Sequence, residues 1–396
     1  MSRPAHVQIS DLDGLARLAV DGVTGVTDLV EHLHGTISRG AMLRSPDTEH
    51  RTGGITGLVY RSVRGVTGLV GGALELSLGT AARFGSAESS APISTQRIRT
   101  IAILNGVLGD TLENRGNPLA LPMRLLHEGR ELQPEIAAQM LGPGAKVALL
   151  IHGLCLDEAC WDAVPEQTGS ADLPQQLARQ GWTVLRLRYN SGRPIHANGR
   201  DLSALLQNLA GRDSAAVDRL SILGHSMGGL VARSAAHQGL EAGHDWTRRL
   251  DQLLCIATPH HGSPLERIGH GIDRALGISR YSLPFARLGK IRSAGITDLR
   301  HGRILDLPND GRPIPTLLPP QTRCYSMAAC LDADPYSMKS RHFGDGLVPV
   351  PAALGVHRDP ARVLPAAQRH VITETGHLAI LQSAAAAQCI ETWLRD

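Results

Sequence analysis

One five-residue turn constrains the fold of this 396-residue chain more than any other stretch: Gly224-His-Ser-Met-Gly228. Arg219–Leu223 before it has the character of a short buried strand. Gly229–His237 after it opens with small residues and reads as a helix. Two glycines beside a serine let strand and helix backbones approach across a tight turn, because no Cβ stands between them. Such a turn lifts the Ser226 hydroxyl clear of the sheet edge. The competing reading is a Gly/Ser connection in an ordinary sheet protein, so the rest of the chain has to decide.

From Lys146 onward the chain alternates between two kinds of segment. Val147–Ile151, Thr183–Leu187, Leu220–Leu223, Leu250–Ile256, Gln321–Ala328 and Arg369–Thr373 are short apolar runs of strand length. Leu173–Gln180, Asp201–Leu209, the segment after Ser226, and Leu378–Leu394 have helical character. Strands alternating with helices imply βαβ units and a mostly parallel central sheet flanked by helices, an α/β fold. Arg99–Leu104 is strand or helix, Asn105–Asp110 reads as a turn, and Leu121–His127 with Leu132 suggests a hairpin or short helix. Residues 264–320 break the alternation with a basic segment and a Pro-rich stretch, the pattern of a lid or pocket wall.

Residues 1–85 differ from the remainder. Val23-Thr-Gly-Val26, Ile55-Thr-Gly-Leu58 and Val66-Thr-Gly-Leu69 repeat one small pattern, with apolar residues at helical spacing around them. These predict glycine-bearing amphipathic helices that need a partner surface to form. The expected organisation is a helical appendage at 1–85, a polar linker at 86–98, and a catalytic domain at 99–396 that carries the 264–320 insertion. Packing on the main domain is the plain reading for the appendage. Covering the site, or touching lipid or a second copy of the chain, is the sharper one.

Composition narrows the function classes. A formal net charge of +3 without a dense Lys/Arg block gives nucleic-acid binding no support. The six cysteines form no C-x-x-C pair and match no zinc spacing, so no metal is expected; Cys155/Cys160 and Cys324/Cys330 could bridge locally in an exported chain, and without a visible leader free thiols are the expectation. The first residues contain no apolar leader core and no run is long enough to span a bilayer, which makes cytoplasm the expected location.

A serine hydroxyl becomes a useful nucleophile only beside a base, and the base needs an acid to hold its tautomer. Asp345, in Gly344-Asp-Gly-Leu-Val-Pro349, and His377, after Gly376, follow Ser226 in the order that this architecture uses. Asp332 and Asp334 are alternative acids. His342 and His370 are weaker bases by position. The oxyanion donors expected are the backbone N–H groups of Met227, after the serine, and Leu154, in the His152-Gly153-Leu154 loop. His152, Gly153, Leu156, Trp161, His260 and His261 are candidate pocket residues, although His152, His260 and His261 also suit roles in tying loops together.

Taken together, His152-Gly-Leu, Gly224-His-Ser-Met-Gly-Gly-Leu-Val-Ala-Arg233, Thr258-Pro-His-His-Gly-Ser263, Gly344-Asp-Gly-Leu-Val-Pro349 and Gly376-His377 resemble the α/β-hydrolase superfamily. Within it they resemble bacterial lipases and glycosylphosphatidylinositol-inositol-deacylase-like hydrolases. The resemblance covers roughly residues 146–394. It implies a serine esterase or lipase with Ser226, Asp345 and His377 as its triad, no cofactor, and an acyl ester, lipid-like, as substrate. Acyl transfer or thioester cleavage would use the same machinery. A lipid-binding or interaction protein is the non-enzymatic alternative. Peripheral membrane contact or self-association is assigned to residues 1–85.

Overall fold

The computed structural model describes residues 10–14, 16–18, 95–133, 140–162, 172–210, 217–263, 293–306 and 316–395. The appendage helices expected around residues 23–37 and 55–70, and most of the 264–320 insertion, lie outside the described residues. The chain divides into two compact units: Met1–Ile98 with Leu112–Ala120, and Arg99–Thr111 with Leu121–Asp396. In the first, Arg97 makes a two-pronged ion pair with Asp11, both bonds 2.6 Å long. The Asn117 amide there donates to the Gly14 carbonyl.

The second unit is built on eight strands: β1 (Arg124–His127), β2 (Arg130–Glu131), β3 (Ala145–Ile151), β4 (Trp182–Arg188), β5 (Val217–His225), β6 (Leu250–Ile256), β7 (Arg323–Ala329) and β8 (Gln368–Ile372). They lie in one sheet in the order β2-β1-β4-β3-β5-β6-β7-β8. The β1–β2 hairpin is antiparallel, and β1 runs antiparallel to β4. Every other neighbouring pair is parallel. The expected strands are therefore all present, and the uncertain Leu121–Leu132 stretch resolves as the edge hairpin.

The helices are α1 (Thr95–Asn114), α2 (Leu173–Arg179), α3 (Ile195–Ala210), α4 (Met227–Glu241), α5 (Ala294–His301) and α6 (Ala384–Arg395), with shorter turns between. Side-chain alternation on β3 shows how they are layered. Val147, Leu149 and Ile151 point into one core with Leu202 and Leu206 of α3 and Leu230 and Val231 of α4. Ala148 and Leu150 point into another with Leu177 of α2 and Ile390 and Trp393 of α6. A strand covered on both faces has to be apolar at successive positions, which is why Val147–Ile151 reads as an unbroken apolar run. Each fully buried Leu or Ile there contributes about 1.5–3 kcal/mol.

Three sequence expectations give way. Asn105–Asp110 is not a turn but lies inside α1, which also takes up residues 95–98 of the expected linker. The two glycines that suggested a turn are contact points. A Cβ at Gly106 would strike Cys155 and one at Gly109 would strike Asn190. Asn105 is fully buried, donating to the Ile101 carbonyl and accepting from the Leu121 amide. The single helix expected over 378–394 is broken at Ser383, whose extended backbone ends a short 3-10 turn. Its side chain then accepts from the Ala386 amide at the start of α6.

The approach that the glycine turn was expected to permit is present. A Cβ at Gly224 would meet the backbone of Gly229, and one at Gly228 would lie 2.6 Å from the His152 carbonyl oxygen and nearer still to that of Ile151. Backbone atoms of two sheet-bound segments cannot step aside. Gly228→Ala should therefore destabilise the fold by about 1–3 kcal/mol, read as a lower urea midpoint with an unchanged m-value.

Candidate active site

Ser226 sits between β5 and α4 with φ 54° and ψ −123°, a backbone conformation strained for any residue with a side chain. Its amide donates to the Ile256 carbonyl at 2.8 Å, and its carbonyl accepts from the Gly229 amide at 3.1 Å. Both bonds hold the serine at the C-terminal edge of the central strands. Ser226 is 5% exposed.

The loops around it come from three neighbouring strands. After β3, Gly153 lies against the serine, and a Cβ there would be 3.0 Å from Ser226 Cβ. After β6, the Thr258 side chain fills the space that a Cβ at Gly229 would need. Ser263 of the same segment donates to the Leu347 carbonyl at 2.7 Å, tying it to the loop after β7. That loop carries Asp345 between Gly344 and Gly346, both in the left-handed region at φ 53° and 95°. Asp345 is 3% exposed. Its Oδ1 accepts from the Leu347 and Val348 amides at 2.9 and 2.8 Å.

The second carboxylate oxygen of Asp345 is 2.7 Å from Nδ1 of His377. Nδ1 must carry the proton here, because the carboxylate can only accept. The His377 amide also donates to the Asp345 carbonyl at 3.1 Å. The imidazole and its acid are thus joined through ring and backbone. The His377 ring lies 4.9 Å, centroid to centroid, from that of His225, the residue before Ser226. The Ser226 hydroxyl and the His377 ring are not hydrogen-bonded to each other in this conformation.

The alternatives are engaged elsewhere. Asp332 accepts from the Ser337 hydroxyl and Asp334 from the Tyr336 amide, each within its own turn. The His342 ring bonds to the Met338 carbonyl in its own short helix. His370 is exposed on β8. Leu154 follows Gly153 in the loop after β3, and Met227 lies in the first turn of α4. Among the described residues neither backbone N–H is taken by a protein acceptor.

The candidate pocket residues have well-defined surroundings in the fold. Trp161 is 1% exposed and packs in the core under the elbow, edge-on to His225 at 6.5 Å, so it is no open wall. His152 stacks on Tyr189 at 4.5 Å, and the Tyr189 hydroxyl donates to the His152 carbonyl. His260 accepts from buried Arg233 of α4 at 3.0 Å. The His261 ring packs against His357 at 4.9 Å. Leu156 is half-buried beside the Gly153 carbonyl, to which its amide donates. His225 was missed. In a G-x-S-x-G pattern it occupies an unspecified position, and only its type, a ring with two nitrogens, hinted at a role.

The mostly parallel eight-stranded sheet, with a serine at the strand–helix turn, defines an α/β-hydrolase fold. A family model described as the PGAP1-like alpha/beta domain matches residues 202–307, a span that holds Ser226 but neither Asp345 nor His377. The chain is also similar to a mature-form Bacillus licheniformis lipase, with 16% identity over 64% of this chain and 92% of that one and a TM-score of 0.43. A Pyrococcus furiosus esterase gives 13% identity over 69% and 92%, with a TM-score of 0.40. An α/β hydrolase from the metagenome of Mar Chica lagoon sediments gives 16% over 69% and 97%, with a TM-score of 0.38. No curated protein matches the sequence. Among the described residues no helix is long and apolar enough to cross a membrane.

Burial keeps the histidines around the site neutral. It lowers His225 to about 3, helped by the nearby charge of His377. It lowers His261 to about 4, helped by His357. His152 is lowered by burial, and His260 well below its ordinary value by burial and then by Arg233. A depressed histidine pKa means that the unfolded chain binds the proton more readily. The stabilisation is complete above the ordinary value of 6.5 and is lost as pH falls, towards about 3 for His225 and about 4 for His261. Each such histidine should contribute a slope of about 1.4 kcal/mol per pH unit within its window. Unfolding free energy measured in urea should fall from pH 6.5 to 4.5, and His261→Gln should flatten that slope.

Proposed function

We propose that this protein is a serine carboxylic-ester hydrolase, with Ser226 as nucleophile, His377 as general base and acid, and Asp345 as the residue that orients His377. The observation that carries the reading is the strained Ser226 turn beside a His377–Asp345 pair joined at 2.7 Å. Backbone strain of about 1–3 kcal/mol at a non-glycine residue persists only where the surroundings over-determine it. A buried carboxylate spending one oxygen on two amides and the other on an imidazole is built to fix one ring orientation.

In this reading the Ser226 oxygen adds to the ester carbonyl carbon and its proton passes to His377 Nε2. That transfer requires Nε2 to come within about 2.6–3.2 Å of Oγ in the substrate complex. Asp345 keeps Nδ1–H in place and stabilises the imidazolium. The Leu154 and Met227 amides receive the oxyanion, and α4 adds the positive end of its dipole beside Met227. Collapse of the tetrahedral intermediate expels the alcohol with the proton from His377, leaving an acyl-serine. Water then repeats the sequence. An acyl ester of lipid-like character is the proposed substrate, and residues 1–85 are proposed to aid contact with a lipid surface or a second copy.

A fluorophosphonate probe should label the wild-type chain at Ser226 and leave Ser226→Ala unlabelled. Labelling that persists in Ser226→Ala would overturn the assignment. On p-nitrophenyl esters from acetate to palmitate, Asp345→Asn should lower kcat by roughly 10²–10⁴-fold with a smaller change in KM. Products that carry the acyl group on an added alcohol or thiol in place of water would reassign the enzyme to acyl transfer.

A further inference from the structure

The ring of His225 is fully buried, yet it makes one well-defined polar contact. Its Nε2 lies 3.0 Å from the backbone carbonyl oxygen of His377, 152 residues further along the chain. A carbonyl only accepts, so Nε2 carries the proton and His225 is the donor. The other nitrogen, Nδ1, is buried, has no hydrogen-bond partner among the described residues, and faces Gly153. A buried acceptor left unpaired costs about 1–3 kcal/mol, and a hydrocarbon ring of similar shape would avoid that cost. Packing alone therefore does not account for a histidine at this position. The Nε2–H donor does.

We infer that His225 is a positioning residue that ties the Ser226 turn to the backbone of His377, so that the backbones carrying nucleophile and base stay in place while their side chains close the remaining gap. The inference rests on the ester-hydrolase reading of the same site. His377 is held at three points: its ring by the Asp345 carboxylate, its amide by the Asp345 carbonyl, and its own carbonyl by His225. The first two fix His377 to the loop after β7. His225 alone of the three joins it to β5, one covalent step from the serine. The Trp161 edge and the His377 ring pack against His225 and leave it little freedom to rotate. The ring remains neutral over the working pH range, so it adds no positive charge beside a His377 that becomes cationic during catalysis.

Reach decides the test. His225→Gln places an amide N–H near the position of Nε2. His225→Asn places one near Nδ1, too short to meet the His377 carbonyl. His225→Met supplies bulk and no donor. In the full-length chain we expect His225→Gln to keep kcat within about threefold of wild type. His225→Asn and His225→Met should lose roughly ten- to hundredfold in kcat, and as much in fluorophosphonate labelling rate, with KM unchanged and thermal midpoints close to one another. Equal activity in all three variants would overturn the inference, and so would equal loss in all three, which would mean that ring shape and not the donor matters. If His225→Asn or His225→Met fails to fold, the comparison of Gln with the other decides. Full activity in Ser226→Ala would instead remove the ester-hydrolase reading itself, a result separable from any outcome at His225.

Discussion

Four pieces of backbone meet at the crest of β5: the end of that strand, the start of α4, the loop after β3 and the loop after β6. They can meet only because Gly224, Gly228 and Gly229 present no Cβ to one another or to the Ile151 and His152 carbonyls and the Thr258 side chain. Ser226 takes the strained conformation that remains once those contacts are made. Strain of about 1–3 kcal/mol is small beside the two apolar cores, where each buried aliphatic side chain contributes about as much. The sheet can therefore hold a serine in a geometry that an isolated peptide would abandon.

From that crest the polar interactions run outward in a chain. Thr258 lies against α4, Ser263 bonds to the loop that carries Asp345, Asp345 holds His377, and His225 bonds back from His377 to the serine turn. The circuit closes, so a displacement of any one loop is opposed by bonds from two strands. Burial works in the same direction by keeping His152, His225, His260 and His261 uncharged. For His225, which lies against the His377 ring, this matters directly, because a positive charge there would oppose proton transfer to His377 by Coulomb repulsion.

The places where local pattern misleads share a cause. Gly106 and Gly109 look like turn formers, yet they serve close contacts between α1 and the loops that bear Cys155 and Asn190. Glycine permits a turn and permits a close approach equally, and neighbouring residues do not say which is used. Trp161 looks like a binding surface because large aromatics often are, but the space above α2 and beneath the elbow is filled by it. Ser383 splits the last helix because its hydroxyl caps α6, a competition between side chain and backbone that apolar spacing does not register.

The alternation of strands and helices from Lys146 onward, the serine turn, and the succession Ser226, Asp345, His377 follow from the sequence by itself. Apolar periodicity and glycine placement are local, and they act on the chain wherever it lies. The tertiary structure alone decided that Asp345 spends both oxygens within one loop pair, that Asn105 is buried within a helix, and that an unremarked ring at position 225 donates to a carbonyl at 377. Those features depend on which distant segments meet at one edge of the sheet: parallel strands that lie far apart in the chain send their following loops to the same end, and local pattern does not record which of those loops touch.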